Sequence, residues 1–128
     1  MDDRAYTSPL DDANVVDSAD AEQNKVMGIL AYLGILVLVP ILAARQSRFA
    51  MFHANQGLIL CIIWVGIWIL TSIMSWIMMS SLAGLSLVGL FTFACYLAMI
   101  VLIIIGIINA AGGKMKPLPL VGGFTLIK

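Results

Sequence analysis

The feature that most constrains this chain is a stretch without charge. From Leu58 to Ala111 there is not one Asp, Glu, Lys or Arg. As a single helix at 1.5 Å per residue it would run roughly 80 Å, far beyond the ~30 Å hydrocarbon thickness of a bilayer. It must therefore fold back on itself. The weakest place for continued apolar helix is Met79–Gly89, where Ser80, Ser81, Gly84, Ser86 and Gly89 gather. That predicts one membrane span over 58–79 and another over 87–111.

Composition agrees with lipid as the solvent. The 128 residues are 62% hydrophobic and 11% charged, whereas a soluble domain is roughly half apolar and a quarter charged. A soluble globule of this size could not hide so much apolar surface. A further apolar run, Val26–Ala44, covers roughly 28 Å and predicts a first span. Pro40 lies inside it and is expected to kink it by freeing the Leu36 carbonyl. Gly28 and Gly34 form a thin face for a neighbouring helix, as do the pairs Ala94/Ala98 and Gly106/Ala110 in the last span. The expected class is an all-α integral membrane protein with three transmembrane helices and a short amphipathic interfacial helix before the second.

That interfacial helix is the link 45–57. Read as a helix, it stacks Phe49, His53 and Gln56 on one face, with Arg48, Phe52 and Asn55 on a neighbouring stripe. Ser47 is placed to cap it. Aromatic, basic and amide groups at the mouth of a span suit a contact with lipid headgroups or a protein partner. Arg45, Arg48, Phe49, Phe52, His53, Asn55 and Gln56 are the candidates.

Charge is distributed unevenly. All seven acids fall within the first 22 residues, and none follows Val26. Residues 1–25 thus read as an acidic, disordered tail, and 26–128 as the membrane domain, closing in an extended segment over 112–128. The want of carboxylates in the membrane part excludes paired-carboxylate catalysis and a carboxylate proton relay. His53 is the one histidine, and Cys61 and Cys95 form no CxxC, so no metal set, catalytic triad or cofactor is expected. The cysteines fall at different membrane depths, which argues against a disulfide.

Three spans would put Arg45, Arg48, Lys114, Lys116 and Lys128 on one side and Arg4 and Lys25 on the other. The positive-inside rule then puts the N-terminus outside and the C-terminus in the cytoplasm. The residues alone leave three readings. One is a scaffold or assembly protein. The second is a subunit of an oligomeric channel or transporter lined by Thr71, Ser72, Ser75, Thr92 and Asn109. The third is an enzyme built on His53, for which Gln56 is a poor orienting partner. Expected partners are the bilayer, further copies of the chain and other membrane proteins, but no nucleic acid.

AYLGILVLVP (31–40), FHANQGL (52–58), GIINA (106–110) and KPLPLVG (116–122) resemble a family of small bacterial membrane proteins. That family is similar, at a distance, to the Tic-type subunit of the chloroplast inner envelope. It includes the magnetosome membrane proteins of the MamF type, which share a YLGIL…FHAKQGL pattern; this chain has Asn55 at the lysine position. The resemblance covers 26–128. It implies a non-enzymatic polytopic protein of a bacterial inner membrane or an organelle derived from it. The Tic-like branch implies a part in moving or assembling proteins. The MamF-like branch implies an influence on crystal size in the magnetosome.

Overall fold

The structure is a computed structural model; it describes the backbone of residues 9–121, 123 and 126, and the side chains of these from Ser18 onward. Its helices are α1 (Pro9–Leu30), α2 (Leu38–Ala43), α3 (Arg48–Met78) and α4 (Leu82–Ala111), with a 3-10 turn at Gly34–Val37 leading into α2.

Among the described residues, α3 and α4 are the two helices long and apolar enough to cross a membrane. They form a hairpin joined at Met79–Ser81, where the Ser81 hydroxyl accepts from the Gly84 amide and starts α4. α3 has 31 residues, so it is about 46 Å long, close to the ~40–45 Å of a whole bilayer with its headgroup regions. The separate interfacial helix expected over 45–57 does not exist. Ser47 caps α3 as expected, its hydroxyl accepting from the Ala50 amide, and no breaker follows before the apolar run, so 48–57 is the first third of one continuous helix.

The first apolar segment departs most from expectation. A straight third span over 26–44 is not present. α1 ends at Leu30, and tight bonds from the Tyr32 amide to the Ile29 carbonyl and from Leu33 to Leu30 wind the chain out of the helix. Gly34 then takes a left-handed φ of +68°, which glycine adopts without the Cβ clash other residues meet. The chain reverses there. Pro40, expected to kink a long helix, sits in the first turn of α2, where its missing N–H removes no helical bond. The irregular residue inside α1 is instead Asn24 (φ −116°, ψ 18°).

Neighbours show the path. Gly28 packs against Phe49 and Ala110, Gly57 against Ala31, and Gly106 against the Tyr32 ring. The Cys61 thiol donates to the Gly34 carbonyl at 3.3 Å. α1 therefore runs in beside α3, turns at the level of Cys61, and α2 brings the chain back to Ser47. Asp20 bonds Ser47, and Ala21 lies beside Gly113. Residues 20 and 113 are thus at one end of the hairpin, whereas three crossings would have put them at opposite ends. Of the segment expected to be a disordered tail, 9–25 are helical here, and 1–8 lie outside the described residues.

α4 closes on Gly112–Gly113, at the end of the span expected over 87–111. Gly113 has φ +69°, its amide donates to Ala110, and the Lys114 amide reaches back to Asn109 at 2.8 Å. These are the two bonds of a Schellman cap. The core gathers at this end, around Ala31, Tyr32, Phe49, Ala54, Leu60 and Ala110. The other end is a bare two-helix arm that exposes Trp68, Trp76, Leu87 and Phe93.

Candidate functional site

His53 is the centre of the packed end. The helical spacing turns it inward with Phe49, and it is fully buried. Its Nε2 lies 2.8 Å from the Lys114 carbonyl. A carbonyl only accepts, so Nε2 carries the proton and donates. Nδ1 then accepts from the Tyr32 hydroxyl at 2.7 Å. Both ring nitrogens are satisfied in one neutral tautomer. Tyr32, Phe49 and Phe52 meet the imidazole edge-on, with centroids 5.6, 4.6 and 5.2 Å away. One side chain thereby ties the reversing turn, the start of α3 and the exit of α4.

The amides beside it do the same work. Gln56 Oε1 accepts from the Leu118 amide at 3.1 Å, and Asn55 Oδ1 accepts from the Leu126 amide. The C-terminal segment is held back against α3 by these bonds, with Leu118 buried. Phe49, His53, Asn55 and Gln56, expected to face headgroups or a partner, are buried inside the chain. Arg45 and Arg48 are exposed at the rim and Phe52 is half-buried. In a bilayer this burial has a cause: backbone and side-chain polar groups out of reach of water must be satisfied internally.

Glycines set how closely the segments approach. A methyl on Gly57 would lie 1.7 Å from the Ala31 carbonyl oxygen, and one on Gly106 would lie 2.3 Å from the Tyr32 ring. Gly28 is similarly closed, by Phe49 at 2.8 Å. So Gly28, Gly106 and Ala110 pack within the chain, as does Pro40. Gly34 serves the turn, and its side is open. Ala94 and Ala98 are exposed on α4.

A carboxylate closes the site from the acidic segment. Asp20 Oδ2 accepts from the Phe49 amide at 2.9 Å, and Oδ1 accepts from the Ser47 hydroxyl at 2.6 Å and the Asn24 amide at 2.8 Å. A negative charge at the N-terminus of α3 complements the helix dipole.

The sequence reading missed Asp20, Tyr32 and Gly57. A signal was present for the last two. Tyr32 belongs to AYLGIL, Gly57 to FHANQGL and Gly106 to GIINA, and these motif fragments meet here.

The polar groups of this arrangement are used in holding the fold together. Among the described residues no three His, Cys, Asp or Glu could hold a metal. Three of the four hydroxyls weighed as a polar path bond their own helix: Thr71 to Ile67, Ser72 to Trp68 and Thr92 to Val88. Both cysteines are free.

A membrane hairpin with an internally satisfied polar knot defines a small, multi-spanning membrane protein. Comparison with known proteins narrows the class. Residues 23–125 match the magnetosome magnetite crystal formation family, MamF/MmsF, and the chain belongs to it. It is 35% identical over 105 residues to magnetosome protein MamF of Paramagnetospirillum magneticum, covering 80% of this chain and 82% of that protein. It is 39% identical over 46 residues to magnetosome protein MmsF of the same organism, covering 36% and 43%. A 35-residue stretch is 49% identical to MamF of Magnetospirillum gryphiswaldense, covering 27% and 32%. No solved structure matches. None of these matches supports the chloroplast-import resemblance.

Proposed function

We propose that the chain is a structural component of a magnetosome-type membrane that influences magnetite crystal formation through contacts in and at the bilayer. The observation that carries this is the family match over 23–125, which takes in the His53 knot and both long helices. The knot supports a scaffold role, since its polar groups are used in holding the packed end together. The wide apolar faces of α3 and α4 support association with lipid, with further copies of the chain or with other membrane proteins. The basic groups support an orientation. Lys25, Arg45, Arg48, Lys114 and Lys116 share the packed end, and no charge lies between Arg48 and Lys114, so the positive-inside rule puts that end in the cytoplasm. Residues 20 and 114 would then both be cytoplasmic.

The test is complementation. The chain is expressed in a Paramagnetospirillum magneticum strain lacking both MamF and MmsF, and crystal dimensions are measured by electron microscopy. Restored crystal size is expected. Unchanged crystals, with the chain present in the magnetosome membrane at normal levels, would refute the proposal.

A further inference from the structure

We infer that the protein is a one-leaflet wedge: it favours bilayers curved so that its packed end lies on the convex face. The inference rests on shape and depth, and goes beyond the role in crystal formation.

The cross-section is unequal. At the packed end α1, α2, α3 and α4 lie side by side, joined by the returning C-terminal segment. Past the reversal at Gly34 only α3 and α4 continue. A helix with its side chains is about 10 Å across, so one half of the molecule is two helices wider than the other.

The depth of the wide part matches one leaflet. The reversing turn touches α3 at Cys61, fourteen residues beyond the cap Ser47, or about 21 Å along the axis. Half of a bilayer with headgroups is roughly 20–22 Å. The wedge surface also has the polarity of a leaflet. Its rim carries Arg45, suited to anionic headgroups, beside the Lys25–Glu22 ion pair, and Lys116 is exposed on the returning segment. Below the rim Leu42 is 73% exposed, and at the turn Ile35 is 79% exposed. These side chains face outward, largely uncovered by the described residues, on a segment too short to cross. Acyl chains of a single leaflet are the environment that fits both facts. Added area in one leaflet without equal area in the other makes that leaflet the convex one.

The experiment reads orientation against curvature. Full-length protein, with Cys61 and Cys95 replaced by alanine and Lys116→Cys as a label site, is reconstituted from one detergent mixture of phosphatidylethanolamine and phosphatidylglycerol. One portion is sonicated to small vesicles and the other extruded to large ones. A membrane-impermeant maleimide counts the packed ends that face outward. The expected outward-to-inward ratio is several-fold higher in small vesicles than in large ones. An equal ratio in both would overturn the inference. Ile35→Asp puts a charge on the exposed turn without touching the core, and is expected to leave thermal stability in detergent unchanged while reducing the bias. If that variant kept the full bias, one-leaflet insertion of the turn would not be its cause. Neither readout depends on magnetite, so failure here and failure of complementation are separable.

Discussion

Replacing His53 by alanine tests the knot most directly. The substitution strands two buried partners, the Tyr32 hydroxyl and the Lys114 carbonyl. Each buried group left without a partner costs about 1–3 kcal/mol. It also removes a ring that three aromatic neighbours contact edge-on, each such contact contributing about 0.5–1.5 kcal/mol beyond area burial. These terms overlap, because the cavity relaxes and the turn shifts. The expected net loss is about 3–5 kcal/mol, at the upper end for a point substitution. His53→Phe separates the contributions: it keeps a ring among the three aromatics and loses both hydrogen bonds, so about 2–4 kcal/mol is expected. Tyr32→Phe, alone and combined with His53→Phe, should show a coupling of about 0.5–3 kcal/mol, since the two side chains share one bond. The assay is denaturant unfolding in detergent micelles, followed by circular dichroism and by tryptophan fluorescence. If His53→Ala stays within about 0.5 kcal/mol of the parent, in the range of an ordinary surface change, the histidine does not hold the packed end together and the reasoning fails.

Gly57→Ala drives a methyl into the Ala31 carbonyl and is expected to lose more than the ~1–3 kcal/mol of ordinary overpacking; Gly66→Ala, in open space on the same helix, should be neutral or stabilising by the same melts. Asp20→Asn keeps an acceptor for the Phe49 amide but removes the charge at the α3 N-terminus, with about 0.3–1 kcal/mol lost; faster hydrogen exchange at Phe49 checks it, and unchanged exchange would mean that the cap is not held in the membrane. Ala98→Leu is expected to leave the melting of the single chain unchanged, because Ala98 is exposed; a loss of stability confined to an oligomeric species on size-exclusion chromatography would instead locate a contact between copies.

Much of this molecule is legible in one dimension because it depends on local quantities. The charge-free run from Leu58 to Ala111 dictates a hairpin in lipid, since no other solvent accepts that surface and no bilayer accepts that length in one crossing. Ser47 as a cap, the serine and glycine cluster as the reversal, and Gly112–Gly113 as the stop are local backbone chemistry, and each was readable. The segments that departed from expectation are those whose conformation rests on distant partners. Val26–Ala44 has the length and composition of a span, and only Tyr32 meeting His53 and Gly106 decides that it turns back at Gly34. FHANQGL has the composition of an interfacial helix, and only the Lys114 carbonyl and the Leu118 amide, some sixty residues away, decide that its polar groups face inward. Asp20 reads as one more charge in an acidic segment until the fold brings it to the start of α3. Hydropathy and capping act within a few residues, so the lipid solvent, the hairpin, the Ser47 cap and the Gly112–Gly113 stop could be read from the chain alone. Hydrogen bonds and close packing between segments far apart in the chain settle the reversal at Gly34, the end shared by Asp20 and Gly113, and the wedge.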